Sequence, residues 1–521
     1  MFNNQKIFDT VVIGSGAGGL SSASYLSRKG LNVLLCEKRR EVGGYLNSFT
    51  RTGKSGDKYT FDTGVHYLGE CMEGSGLSKV FKEAIGEPYE KMKWNLMDPE
   101  GINRYVYKDF EYSYPMGLKN FEMMLLSKFP DAQGSITNAF KLIKDTSQLL
   151  NDLSDIEGKL ASQSLAGKMS TLFKLVPKIP LLRRMITKTA KEFCEGVTDL
   201  RVLKILDNFS TEVGVTLSEA SPMLLMLFAF YSHGGFYPQG GTKPLIKMFC
   251  DTILKSGGTI LKNAGVTGIK KEGNVFRVHT PKGEFFTKTI VSNTDAKVLY
   301  SDLLPQELVG KKIKKKIQNT VPSVSNLYTF VGTDLDLSKY MNSGNLLFFD
   351  ENFFSTEMKA SSLQNTYFLT SPTLKDPNGG HSAKGKYSLE ILCSAGDFED
   401  WKQWENSKPY QRPIEYMKKK EEIGMHAIKV IERNLIPNLS KHLDFIEFAT
   451  PLTNLHYTSA PNGSMYGPAL TPSQSFLNWF PIKTKIPGLY HCGSSTLCGG
   501  VSASCQTGIQ AAKKLLKFYK K

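Results

Sequence analysis

The sequence predicts an α/β protein that opens on a parallel βαβ unit, carries a long helical insertion, and adds a second region of mixed sheet. Three observations predict this: a β-branched run feeding straight into a glycine cluster at "VVIGSGAGGL" (11–20), apolar helical periodicity from Gly69 to about residue 230, and period-two alternation broken by turn residues over 257–294. A chain of 521 residues is long enough for two or three domains and a large buried core. Its 40% hydrophobic and 22% charged residues exclude a disordered chain.

"FDTVVIG" reads as a buried parallel strand, "GLSSASYLSRKG" as a helix packed on the sheet through Ala23 and Leu26, and "LNVLLCE" as the second strand. Between strand and helix lie Gly14, Ser15, Gly16, Ala17, Gly18 and Gly19. Gly14 makes the tight turn, Gly16 lets backbone approach a pyrophosphate, and Gly19 lets the helix pack closely. Free N–H groups and the positive dipole end at the helix N-terminus favour the phosphates. Glu37 ends the second strand 18 residues past Gly19, placed to accept hydrogen bonds from a ribose diol. A bare G-x-G-x-x-G is weak evidence; a complete βαβ setting with the acid at the right distance is far more specific.

Lys38, Arg39 and Arg40 raise the possibility of a 2′-phosphate, which Glu37 would repel. Gly43 and Gly44 follow at once, and paired glycines there let the chain turn back under an extended dinucleotide. That arrangement points to FAD.

From Gly14 to Gly44 the chain resembles the extended dinucleotide signature of the glutathione-reductase-like flavoproteins. "FDTGVHYLGE" (61–70), "GGFYPQGGTKPLI" (234–246) and "TPLTNLHYTSAPNGSMYG" (450–467) are similar to segments of the FAD-dependent phytoene desaturase, carotenoid cis-trans isomerase and retinol saturase family. The resemblance implies a discontinuous FAD-binding Rossmann domain, a mixed-sheet substrate domain and a helical insertion. It divides the chain into 1–80, 231–300 and 446–521 for FAD, 81–230 as a helical, substrate- or membrane-facing region, and 301–445 for substrate. It further implies cofactor contacts from Lys38 and Tyr45, from the backbone of Val266 to the adenine, and from Gly493, Ser494 and Val501. Two positions depart from relatives: Ser494 stands where many have Asp, weakening one hydrogen bond, and Tyr45 where amine oxidases and many desaturases have Arg.

The C-terminal "GLYHCG" reads as a strand ending at Gly493, and 501–516 as a helix whose N-terminus faces the cofactor and would stabilise negative charge on a reduced flavin. "VSNLYTFVG" and "KYSLEILCSA" belong to the second sheet. "MLLMLFAFY" (223–231) is half the length of a membrane span and reads as a buried helix. Eight cysteines show no C-x-x-C pair and no zinc spacing, so they read as reduced thiols, and no metal is expected.

The net charge of +16 leaves nucleic acid or anionic lipid open, but no nucleic-acid motif appears. The runs "KKIKKK" and "KKKEE" read as solvated helix faces. Residues 169–193 mix Leu172, Phe173, Leu175, Ile179, Leu181, Leu182, Met185 and Ile186 with six basic side chains. This stretch reads either as a helical hairpin on the protein's own core or as a basic amphipath in an anionic headgroup layer, the latter favoured by lipid-like substrates. With the first strand starting at Phe8 no leader is read, and the expected location is cytoplasmic, peripheral at a membrane surface.

With a single intact dinucleotide motif, the expectation is an FAD-dependent oxidoreductase moving hydride to or from C=C bonds of a hydrophobic polyene, its electron partner unspecified. Reduction needs a proton donor beside the second carbon, and His66, Tyr67, His233, Tyr237, His456 and Tyr457 are the candidates, none assigned. Two alternatives stand beside it: a flavin amine oxidase, and a non-enzymatic prenyl-binding protein of the Rab GDP-dissociation-inhibitor type, which the intact glycines and Glu37 disfavour.

Overall fold

The computed structural model describes residues 7–160, 176–355 and 364–519. Strand β1 (Ile7–Ile13), helix α1 (Ala17–Arg28) and strand β2 (Val33–Cys36) form the opening unit. β1 pairs in parallel with β2 on one side and with strand Gly283–Ser292 on the other. Two more parallel strands, Thr259–Leu261 beside β2 and Leu489–His491 beside Gly283–Ser292, complete the layer. Both faces are covered, which explains the unbroken apolar runs. Val12, Val33 and Leu35 pack toward α1, helix Lys243–Lys255 and the C-terminal helix Val501–Tyr519. Val11, Ile13 and Leu34 point the other way, onto Leu299, Tyr300 and the meander Gly268–Glu272, Val275–Thr280 and Gly283–Ser292.

A second seven-stranded sheet runs in the order Leu443–Ala449, Asn326–Thr333, Tyr387–Ser394, Thr366–Thr370, Asn345–Phe349, Asn103–Val106, Glu111–Tyr114. Every pairing is antiparallel except Asn345–Phe349 with Asn103–Val106. Helix Ile414–Asn434 covers one face through Ala427, Ile428 and Ile431.

The stretch from Gly69 to 230 is less uniformly helical than its periodicity predicts. Helices Leu118–Lys128 and Gln133–Leu160 form, but Asn103–Val106 and Glu111–Tyr114 extend the second sheet and Trp94–Leu96 pairs with Phe236–Pro238. Aromatic side chains such as Tyr105, Tyr112 and Tyr114 fit a pleated surface, and tertiary pairing decided what helical periodicity could not. "MLLMLFAFY" forms a 3-10 turn, Pro222–Leu225, then a short helix, Met226–Tyr231, with Leu224, Leu225 and Phe228 buried.

Leu172, Phe173 and Leu175 of the basic amphipath lie outside the described residues. Its described part packs Met185 and Phe193 into the helical core while Val176 and Ile179 face outward. Helix Lys311–Gln318 buries no residue, as a solvated lysine face should. Among the described residues no helix is long and apolar enough to cross a membrane. All eight cysteines are free.

Candidate active site

The glycine loop is built by close backbone approach. Gly14 adopts φ +86, a conformation that disfavours any side chain, and a Cβ on Gly19 would lie 1.9 Å from the Gly14 carbonyl oxygen. Gly43 and Gly44, at φ +131 and +57, fold the following turn back so that a Cβ on Gly44 would stand 3.2 Å from Gly16 Cα. The Gly43 N–H donates to Ser15 Oγ at 3.1 Å and ties the two turns together. No side chain caps α1 at Gly16 and no acid sits in its first turn, so the helix offers uncompensated N–H groups there. Ala17 starts the helix, and Gly18 meets the C-terminal helix: a Cβ on Gly508 would lie 2.3 Å from the Gly18 carbonyl oxygen.

Glu37 is buried with a fixed orientation. One carboxylate oxygen accepts the Ser15 N–H at 2.9 Å and the Ser15 hydroxyl, and the other accepts the Arg39 N–H at 2.7 Å. Ala264 donates to the Glu37 carbonyl, and Gly265 lies against Lys38, which brings the Val266 loop to the same corner. Lys38 Nζ donates to Ser459 Oγ at 3.0 Å. Arg39 lies over the Tyr457 ring at 5.4 Å and donates to His456 Nε2 at 3.0 Å. Burial, with Arg39, Lys38 and Arg412 adding repulsion, pushes His456 down to about 4, so it accepts as a neutral ring. His456 and Tyr457 thus belong to the Glu37 corner.

At the other end of the loop stands Asn293, which sequence reasoning passed over. A Cβ on Gly16 would meet Asn293 Nδ2 at 2.8 Å, and Cβ atoms on Gly18 and Gly493 would meet its Oδ1 at 2.5 and 2.7 Å. Its position directly after the strand that pairs with β1 was the available signal. Gly493, at φ +92, donates its N–H to Thr507 Oγ1 at 2.9 Å, and Ser494 packs against Gly467. Tyr45 donates its hydroxyl to the Ser464 carbonyl.

A cavity of about 1130 Å³ opens from this point. Gly499, Gly500 and Val501, at the start of the C-terminal helix, form one end. Leu150, Leu153, Met223, Met226, Leu227 and Phe230 come from the helical insertion, and Phe368 and Leu392 from the second sheet. Its titratable lining includes His66, Tyr67, Glu70, Glu212, Tyr231, His233, Asp397 and Tyr466.

Behind His66 lies a buried charged cluster. His66 Nδ1 is 2.9 Å from Glu390 Oε2, and Glu390 Oε1 accepts the Asp62 N–H at 2.6 Å. Asp62 accepts the Tyr237 hydroxyl at 2.6 Å. Lys375 Nζ donates to the His66 carbonyl at 2.5 Å, to Asn345 Oδ1 at 2.7 Å and to Thr370 Oγ1. From Asn345 a chain of donors runs through Asn103 and Tyr67 to Glu212, the last bond 2.7 Å. Burial raises the Glu390 carboxyl to about 8, Asp62 is raised by burial and by Glu390, and burial lowers His66 to about 3. Burial also lowers Lys375, yet three acceptors around Nζ are the full complement of an ammonium, and that geometry decides for the charged form. Of the six proton-donor candidates, then, the structure brings His66, Tyr67 and Tyr237 to one cluster. His233 is exposed at the cavity wall and bonded to Glu70 at 2.6 Å. Asp62, Glu212, Lys375 and Glu390 were missed, although an acid inside the apolar run "SLEILC" was a readable sign.

An adenine dinucleotide fits this frame: an uncapped helix start, adjoining residues with no room for a Cβ, and an oriented buried carboxylate. The model for flavin containing amine oxidoreductases matches residues 17–409. The all-trans-retinol 13,14-reductase of Danio rerio is 26% identical over 95% of this chain and 84% of its own length. The chloroplastic prolycopene isomerase of Arabidopsis thaliana is 26% identical over 98% and 83%. The solved structure of cyclohexylamine oxidase from Brevibacterium oxydans superposes with a TM-score of 0.59 at 15% identity, over 99% of this chain and 100% of that one, a likeness of fold. Fold, loop and family match agree on an FAD-dependent oxidoreductase with a glutathione-reductase-like FAD-binding domain, and the chain belongs to the flavin containing amine oxidoreductase family.

Proposed function

We propose that this oxidoreductase transfers hydride to or from C=C bonds of a hydrophobic, conjugated isoprenoid. The observation that carries the reading is the cavity itself, whose apolar walls lead from the start of the C-terminal helix into the helical insertion. A polyene offers no polar handle at its reacting carbons, so apolar walls must set its register. The names of the retinol reductase and prolycopene isomerase relatives support the same substrate class.

In this reading Gly14, Ser15, Gly16, Ala17, Gly18 and Gly19 receive the diphosphate, and Glu37 and Lys38 the adenosine ribose. The Val266 backbone meets the adenine, Gly43, Gly44 and Tyr45 pass beneath the cofactor, and Gly493, Ser494 and Val501 hold its far end. The bound flavin supplies hydride exchange at N5. The chain's own work is to exclude water, align the polyene and move a proton. The same assignment makes 1–80, 231–300 and 446–521 the cofactor-binding parts and 81–230 and 301–445 the substrate-facing parts. Val176 and Ile179, each 53% exposed, would enter an anionic membrane surface beside the basic residues of their segment.

Product analysis tests the substrate class. Photoreduced enzyme incubated with retinol or lycopene isomers should yield a product two hydrogens heavier, or one of unchanged mass and altered retention. Turnover of amines alone, with every polyene recovered intact, would reject the reading.

A further inference from the structure

We propose that Glu212 determines which polyenes the cavity accepts: its second carboxylate oxygen takes a hydrogen bond from the hydroxyl of an alcohol-ended polyene and repels one that ends in a carboxylate. This rests on the reading of the cavity as a polyene site. Glu212 and Tyr67 both line that cavity, and the Tyr67 hydroxyl donates to Glu212 Oε1 at 2.7 Å. Glu212 is only half-buried. Its Oε2 takes no hydrogen bond among the described residues, yet it is not one of the buried atoms left without a partner, so it keeps accessible surface.

The direction of the hydrogen bonds makes Oε1 an acceptor. Lys375 Nζ donates to Asn345 Oδ1 at 2.7 Å, and Asn345 Nδ2 donates to Asn103 Oδ1 at 2.8 Å. Asn103 Nδ2 donates in turn to the Tyr67 hydroxyl at 3.1 Å, so the hydrogen of that hydroxyl belongs to Glu212. An ammonium has no acceptor to offer, so the whole chain runs one way and ends at the carboxylate. Burial raises Glu212 only to about 6, with Tyr67 and Asn103 working against the rise, which leaves it ionised at neutral pH. Among the described residues no basic side chain forms an ion pair with it, and Lys375 is held at the other end of the chain.

The other acids of the wall are engaged or lie outside. Both oxygens of Glu70 are taken, Oε1 by His233 at 2.6 Å and Oε2 by the Gly76 N–H at 3.0 Å, and Asp397 is exposed. Glu212 lies toward the cofactor end of the cavity. Its charge acts on Tyr466, and a Cβ on Gly499, beside the start of the C-terminal helix, would lie 2.6 Å from Tyr466 Cβ. An anion covered by an apolar chain end loses water without a replacement hydrogen bond, whereas a hydroxyl supplies one. A ligand carboxylate adds like-charge repulsion where little water screens it.

The experiment titrates oxidised holoenzyme with all-trans-retinol, its methyl ether and retinoic acid, and reads Kd from the flavin absorbance change. Wild-type protein should bind the alcohol at least about 10-fold tighter than the ether, which has no hydrogen to donate, and tighter still than the acid. In Glu212→Gln the amide oxygen must take the Tyr67 hydrogen, so the NH₂ group turns to the cavity and donates. Alcohol and ether should then bind alike, and the preference for alcohol over acid should fall at least about 100-fold at unchanged flavin content. A steric cost of the ether methyl would persist in the variant, whereas the missing hydrogen bond is restored by the amide. A wild-type Kd for ether or acid equal to that for the alcohol, or a preference that Glu212→Gln leaves unchanged, would overturn the assignment. If the variant loses flavin, the wild-type series decides alone. Holoenzyme that prefers the alcohol yet reduces no polyene would sink the proposed reaction and leave Glu212 as the anchor; holoenzyme that reduces polyenes with no such preference would sink the anchor alone.

Discussion

Gly16→Val separates cofactor binding from folding, because the two sides of that residue differ. Its φ of −62 and ψ of 177 are extended backbone that valine adopts without strain. On the protein side an added Cβ comes within 4 Å only of Asn293 Nδ2, at 2.8 Å, the tip of a side chain that can turn aside. Overpacking of that kind costs about 1–3 kcal/mol, which a chain of this size survives. On the ligand side the valine methyls stand in front of the uncapped N–H groups of α1. A diphosphate pushed away from two of them loses charge-assisted hydrogen bonds of about 1.5–3 kcal/mol each, a total of about 3–6 kcal/mol and more than about 100-fold in Kd. The assay is FAD titration of the apoprotein by flavin fluorescence, with thermal unfolding followed in parallel. Gly19→Ala is the contrast, since its Cβ would sit 1.9 Å from a backbone carbonyl oxygen and should abolish folding itself. A Gly16→Val protein that binds FAD with wild-type Kd would refute the placement of the diphosphate.

Gly508→Val should part the crossing of the first and last helices, since a Cβ there would meet the Gly18 carbonyl oxygen at 2.3 Å and Ser21 Oγ at 2.2 Å. Unfolding should shift down by at least about 2 kcal/mol in urea, and an unchanged midpoint would contradict the crossing. His491 is fully buried, donates its Nε2–H to the Thr294 carbonyl, and is pushed down by burial to about 4. Its folded-state value lies below the unfolded one, so the unfolded chain binds more protons and stability is lost as pH falls from about 6.5 through 4, by up to about 3 kcal/mol. His491→Asn should flatten that limb of the stability curve. An equally steep limb in the variant would assign the acid sensitivity elsewhere.

The cofactor half of the fold was legible because its determinants are local. Gly14, Gly16, Gly19 and Glu37 fall within one βαβ unit, and each glycine answers a steric demand met within a few residues or across one turn. The tyrosine-rich strands Asn103–Val106 and Glu111–Tyr114 were not legible, because they are strands only by virtue of pairing next to Asn345–Phe349, more than two hundred residues on. Asn293 lies between these cases. It follows a readable strand, but its contact with Gly16, Gly18 and Gly493 exists only once three distant segments converge.

The charged cluster shows why such a site escapes a reading by motif. Asp62 ends a hairpin strand, Lys375 closes a short helix and Glu390 sits in mid-sheet, so no spacing relates them. What relates them is electrostatic necessity. Glu390 is flanked in its strand by buried Leu389, Ile391 and Leu392, and an isolated carboxylate there would carry a desolvation penalty of several kcal/mol. Such a residue must either stay protonated or find a cation; burial raises Glu390 to about 8, and the charge of Lys375 works against that rise. A polar residue in a continuous apolar strand is therefore the sequence mark of a buried network, even where its partners cannot be named. Because the members sit on separate elements, their mutual spacing depends on how the second sheet meets the His66 loop. Substitutions at that seam should disturb the charged cluster before they change flavin binding.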